Sequence, residues 1–169
     1  MSVEVGIDPN QYGGYGVAVY EEWVLPFRLI ESPHHPGDYS LEKIAATLFP
    51  RAAFLALEAI PQILPCARQG ERDRKMLART QQTITRITEE ARSFGVRVYT
   101  YPGRWPHRVS EEDLAAGRGA WMQVLLGRTW VSKEDLQDYL ERRYRPIAPM
   151  TEHHWDALGL VDLAHQRHR

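Results

Sequence analysis

Hydrophobic positions change their period several times along the chain, and each change marks an element. Val3–Ile7 alternates around small residues and runs into Asp8-Pro9-Asn10, with Gly13, Gly14 and Gly16 just beyond. Tyr15–Tyr20 and Trp23–Ile30 are again β-branched or aromatic. This pattern predicts a strand, a glycine-rich turn and two further strands forming an antiparallel meander. Behind the capping residue Ser40, the positions Leu41, Ile44, Ala45 and Leu48 repeat at helical spacing and predict a helix to Phe49. Ala53–Ala59 is nearly all apolar, as expected of a strand covered on both faces, until Glu58 interrupts it. A long helix is expected from Arg72 to Phe94, closed by Gly95. Its apolar stripe of Leu77, Thr80, Ile84, Ile87, Ala91 and Phe94 is narrow and suits packing on the sheet, on a partner's helix, or on both. Val96–Tyr101 reads as the next strand and Pro102–Pro106 as the loop that leaves it. Gly119–Leu126 and Ser132–Tyr144 read as helices, the second opened by a Ser132/Asp135 capping box. A last helix runs from a Thr151 cap to the region of His165. The expected architecture is an α/β chain with a mixed sheet, in one domain over residues 1–169.

Composition narrows this picture only a little. A chain of 169 residues that is 43% hydrophobic suits one substantial core. The single cysteine, Cys66, excludes an internal disulfide and a cysteine-rich zinc site. With no secretion signal at the amino terminus and no apolar run of the roughly 18 to 20 residues that a spanning helix needs, a cytoplasmic protein without membrane attachment is expected. A net charge of −1 gives no reason to expect a polyanionic partner. The local distribution differs. Arg68, Arg72, Arg74, Lys75 and Arg79 face only Glu71 and Asp73, and Arg142, Arg143 and Arg145 form a second basic knot. Such patches suit either phosphates or an ordinary solvated surface.

Four metal-competent side chains sit at element edges: Asp8, Glu58, His153 and Asp156. Asp8 follows an apolar strand and Glu58 ends another, so neighbouring strands would bring both carboxylates to one end of the sheet. Burying either alone costs several kcal/mol, and a cation between them removes that cost. His153 and Asp156 are three residues apart in the first turn of the last helix and share a face. The helix dipole there favours an ionised aspartate and a neutral imidazole, leaving a lone pair for a metal. Phosphodiester hydrolysis calls for such a set, because two divalent ions roughly 3.5 to 4 Å apart stabilise both ends of an in-line displacement. Three carboxylates and one imidazole suit Mg²⁺ or Mn²⁺, two per active site. Taken singly, each residue has an ordinary alternative: Asp8 as a turn residue, Glu58 as half of a buried ion pair, His153 as an exposed cap neighbour, Asp156 as a first-turn acid.

These residues resemble a known family. Gly6-Ile7-Asp8-Pro9 with Gly14-Tyr15-Gly16-Val17 looks like the opening hairpin of RuvC-type Holliday junction resolvases, members of the ribonuclease H-like superfamily. Leu57-Glu58 resembles their fourth-strand glutamate, and His153-His154-Trp155-Asp156-Ala157-Leu158 their carboxyl-terminal acidic motif. The segment from Trp121 to Gly127 is more similar to phage and other divergent members than to the common bacterial form. The resemblance implies a ribonuclease H-like fold with a mixed five-stranded sheet, three antiparallel strands and then parallel ones, flanked by helices. It implies catalysis by Asp8, Glu58, His153 and Asp156, a homodimer, and paired symmetric nicks in a four-way DNA junction without a small-molecule cofactor. Arg68, Arg72, Arg74, Lys75, Arg104, Trp105, Arg108, Arg118 and Lys133 are candidates for the nucleic-acid surface. Lys133 is singled out because Gly117-Arg118-Gly119 and Val131-Ser132-Lys133 loosely match the family's basic loop. Ile60, Ile63 and Leu64 suit either a wedge against bases or plain loop packing. Two other readings stay open: another ribonuclease H-fold nuclease, acting on RNA–DNA hybrids or other branched DNA, and a junction-binding protein without catalysis.

Overall fold

The computed structural model describes residues 2–9, 15–21, 24–31, 41–59, 71–103, 108–145 and 150–168, with the backbone alone at 24–31 and 71–73. The glycine turn at 13–14, the trio Ile60, Ile63 and Leu64, and the candidates Arg68, Arg104 and Trp105 lie outside the described residues, as does the side chain of Arg72.

Five strands form one sheet: β1 (Val3–Pro9), β2 (Tyr15–Glu21), β3 (Val24–Glu31), β4 (Ala52–Ala59) and β5 (Arg97–Pro102), in the spatial order β3-β2-β1-β4-β5. The first three pair antiparallel; β4 pairs parallel with β1, and β5 parallel with β4. This is the mixed sheet that the family resemblance implies. The helices are α1 (Leu41–Leu48), α2 (Glu71–Ser93), α3 (Glu111–Ala115), α4 (Trp121–Leu126), α5 (Lys133–Tyr144) and α6 (Glu152–His168).

Alternation along each strand divides the core into two layers. Val3, Val5, Ile7, Val17, Val19, Leu55 and Leu57 face one way and pack with Leu41, Ile44 and Leu48 of α1 and Ile84, Ile87 and Ala91 of α2. The intervening positions Ala18, Phe54 and Ala56 face the layer of α4, α5 and α6. The long-helix stripe is therefore committed to the sheet through Ile84, Ile87 and Ala91; burying Ile87 alone contributes about 1.5–3 kcal/mol. Leu77 and Thr80 are only half-buried. Phe94 lies beyond the last helical residue, 43% exposed, with its ring edge-on to Phe49.

Local signals explain the element ends. Gly95 and Gly127 take positive φ values of 73° and 63°, where a side chain would be strained, and terminate α2 and α4. Ser132 accepts from the Asp135 N–H while Asp135 accepts from the Ser132 N–H, which is the expected capping box of α5. Periodicity did not predict α3. Its acids Glu111, Glu112 and Asp113 read as loop, but Ser110 caps them and they occupy a helix's first turn, where negative charge meets the positive end of the dipole. Among the described residues no helix is long and apolar enough to cross a membrane.

Candidate active site

β1 and β4 are neighbours with Ile7 opposite Leu57, so the residues that follow, Asp8 and Glu58, emerge at one end of the sheet on the same face. α6 crosses that face antiparallel to β1. Its start meets the end of β1, where His153 Nδ1 lies 2.6 Å from Asp8 Oδ2, and its last turns meet the start, where His165 Nδ1 lies 2.5 Å from Glu4 Oε2. Glycines permit this approach. A Cβ at Gly16 would sit 2.2 Å from the His153 carbonyl oxygen, and one at Gly6 would sit 2.1 Å from that of Ala157. Two small strand positions thus set how near His153 and Asp156 come to Asp8.

The other two carboxylates are held by partners from α4 and α5. Trp121 Nε1 donates to Glu58 Oε2 at 2.6 Å. Lys133 Nζ bonds Asp156 Oδ2 and lies 3.4 Å from Glu152 Oε1. Asp156 Oδ1 is buried and has no hydrogen-bond partner among the described residues.

The three carboxylates feel one another. Burial pushes Glu58 up to about 7, with the Asp8 charge adding to the rise, the Trp121 bond opposing it and Asp156 adding again. Burial likewise pushes Asp156 up to about 6, against the pull of Lys133 and with help from Asp8. For Lys133, burial works downward but the Asp156 and Glu152 carboxylates outweigh it, so its pKa is raised and the ammonium persists. The His153 pKa moves opposite to the direction expected at a helix start. Its bond to Asp8, aided by the charges of Asp8, Asp156 and Glu152, raises its pKa against burial.

Among the described residues no group of three or more His, Cys, Asp or Glu side chains is already gathered as a metal cage. Each carboxylate is engaged in a pair instead: Asp8 with His153, Glu58 with Trp121, Asp156 with Lys133. The residues nonetheless fit a hard divalent cation. The donors are oxygens with one imidazole, one buried carboxylate oxygen lacks a partner among the described residues, and burial together with the neighbouring acids raises Glu58 to about 7 and Asp156 to about 6.

The nucleic-acid candidates scatter. Lys133 is not an outlying surface contact, since α5 delivers it into the pocket. Arg108 is exposed, next to Val109, whose N–H donates to the Thr129 carbonyl. Arg118 is exposed but tied to Asp113 at 2.9 Å, and Arg74 and Lys75 lie exposed on the first turns of α2. Sequence reasoning missed Trp121. The available signal was general: a buried indole N–H needs an acceptor.

No protein-family model matches the chain, and no curated protein matches it significantly. Among solved structures it is similar to that of Thermus thermophilus RuvC, at 21% identity over 97% of this chain and 93% of that one, with a TM-score of 0.52. It is also similar to T. thermophilus RuvC in complex with Holliday junction substrate, at 19% identity over 98% of this chain and 93% of that one, with a TM-score of 0.55. With its strand order and the layer of α6 on the sheet, the chain has the ribonuclease H-like fold of these RuvC structures.

Proposed function

We propose that residues 1–169 form a single nuclease domain that resolves four-way DNA junctions by divalent-metal-dependent phosphodiester hydrolysis. The observation that carries this reading is the convergence of Asp8, Glu58, His153 and Asp156 at one sheet end, with a buried Asp156 oxygen that has no partner among the described residues and a Glu58 carboxyl raised to about 7. One solved structure of similar fold holds a Holliday junction, which supports the choice of substrate.

In this reading Asp8, Glu58, His153 and Asp156 hold two Mg²⁺ or Mn²⁺ ions. When bound, such a pair supplies the charge that favours the attacking water and the leaving 3′ oxygen. Trp121 fixes Glu58, and Asp8 fixes His153 through Nδ1. Lys133 brings a persistent positive charge to the same pocket, suited to a phosphate oxygen. Arg108, Arg74 and Lys75 serve the flanking backbone. A two-fold junction calls for a two-fold protein, so the acting species is a homodimer; Leu77 and Thr80, not committed to the core, are the part of the α2 stripe left for a partner.

One gel tests this. An immobile junction, a linear duplex and an RNA–DNA hybrid are incubated with and without Mn²⁺. Paired nicks are expected in the junction alone and only with metal. Glu58→Gln should lower nicking by more than the roughly 100-fold that loss of an outer-shell partner costs, with junction affinity kept within a few-fold. Cleavage of the hybrid with the junction intact favours a hybrid nuclease instead. Tight, salt-sensitive binding that never yields product favours a binding protein.

A further inference from the structure

Glu58 is fixed from several directions by groups that have no part in the chemistry itself. Trp121 Nε1 donates to Oε2 at 2.6 Å, and the indole is only 1% exposed. The ring lies over Gly159, where a Cβ would come within 2.5 Å of Cζ3 and 2.8 Å of Cη2. On the other side Oε1 abuts Gly103, where a Cβ would come within 2.6 Å of it.

The short helix that carries the indole is itself clamped. The Ala120 N–H donates to Gln123 Oε1 at 3.0 Å, Gln123 Nε2 donates to the Thr129 carbonyl at 3.0 Å, and Gly127 closes the helix with a left-handed residue. Packing, rather than the bond to Glu58, therefore determines where the N–H points. An indole offers one donor and no acceptor, so it can occupy one carboxylate oxygen and leaves the other available.

We propose that Trp121 is a positioning residue for the divalent cation, its indole N–H locking the Glu58 carboxylate in the orientation that receives the metal, with Gly159 and Gly103 kept small to seat the two groups. This rests on the reading of Glu58 as a metal ligand. Loss of such an outer-shell partner lowers metal affinity by about 10- to 100-fold.

The test is Mn²⁺ binding by calorimetry, with wild type, Trp121→Phe, Glu58→Gln and Leu136→Ala side by side. Leu136 is fully buried in the same layer and approaches Gly159, but it makes no bond to Glu58, so its truncation reports loss of packing alone. Trp121→Phe is expected to weaken Mn²⁺ binding at least about 10-fold, while Leu136→Ala stays within two-fold of wild type. Equal Mn²⁺ affinity in Trp121→Phe and wild type, or equal loss in Trp121→Phe and Leu136→Ala, would overturn the positioning role and leave the metal reading of Glu58 standing. Wild type and Glu58→Gln binding Mn²⁺ alike would overturn both.

A second measurement needs no variant to fold. In protein labelled with ¹⁵N at indole nitrogens, the signal to follow is the Nε1–H of Trp121, the most buried tryptophan among the described residues, whose bond to Glu58 slows its exchange with solvent. It should move during a Mg²⁺ titration and saturate with the affinity that calorimetry gives for Mg²⁺ itself. A signal unmoved at saturating Mg²⁺ would overturn the proposal.

Discussion

Two aspartates on one helix, Asp156 and Asp162, are buried about equally and treated very differently. Asp162 accepts from the hydroxyls of Tyr139 and Tyr144 at 2.9 and 2.5 Å, from Arg143 Nε at 3.0 Å and from Gln166 Nε2 at 3.1 Å, so both its oxygens are fully occupied. Burial and the charge of Asp162 raise the Tyr144 phenol well above its ordinary range, keeping it a donor. Asp156 has Lys133 on one oxygen and no partner for the other among the described residues. β1 shows a related contrast. Glu4, at its start, bonds His165, and Asp8, at its end, bonds His153 in the same way but also shares a pocket with two further acids. A buried carboxylate whose bonds are complete is part of the framework. One left incomplete beside other acids is held ready for charge that comes from outside.

Substitutions at the two ends should therefore change stability in opposite directions. Asp162→Asn is expected to lose about 3 kcal/mol in a denaturant melt, through charge-assisted bonds that Asn cannot replace, while nicking per folded molecule stays intact. Nicking lost at unchanged stability would erase the distinction between the two ends. Glu58→Gln should gain stability in metal-free buffer. The rise from 4.5 to about 7 means that the folded protein keeps this proton longer than the unfolded chain, so stability declines as pH rises between those values. At about 1.4 kcal/mol per pKa unit, removing the titration gains up to about 3 kcal/mol at pH 8 and nothing below about pH 4. Melts at both pH values check it, and a loss at pH 8 would class Glu58 with Asp162. Smallest is Gly16→Ala. Its methyl group meets the His153 carbonyl and should push α6 off the sheet, costing about 1–3 kcal/mol and shrinking the rise in melting temperature that Mn²⁺ produces. An undiminished Mn²⁺ shift would separate the closeness of α6 from the pocket.

Much of the fold was legible in the sequence because its signals are local. Apolar runs, the Ser132 capping box and the Gly95 helix stop put strands and helices where the structure has them. Glu58 stood out because a charged residue inside an apolar run conflicts with its surroundings. The division of labour along α6 was hidden. Its residues from His154 to Ala164 are all buried, so no amphipathic period separates Asp156 from Asp162. What distinguishes them sits on other elements: Tyr139, Arg143 and Tyr144 on α5 for one, Lys133 at the start of α5 for the other. Trp121 escaped notice for the same reason, since a tryptophan in an apolar helix reads as core until its N–H is seen to meet a carboxylate across 63 residues of chain. The upward direction of the His153 shift was hidden because the helix dipole is visible in sequence and the three acids around the ring are not.

Whether these four side chains hold divalent cations is decided by anomalous diffraction from crystals equilibrated with Mn²⁺. Manganese peaks are expected among Asp8, Glu58, His153 and Asp156, with the Lys133 ammonium drawn away from Asp156, and none at Glu4 and His165. An ordered pocket that stays free of manganese at saturating concentration, its carboxylates still paired with Trp121 and Lys133, would contradict that expectation.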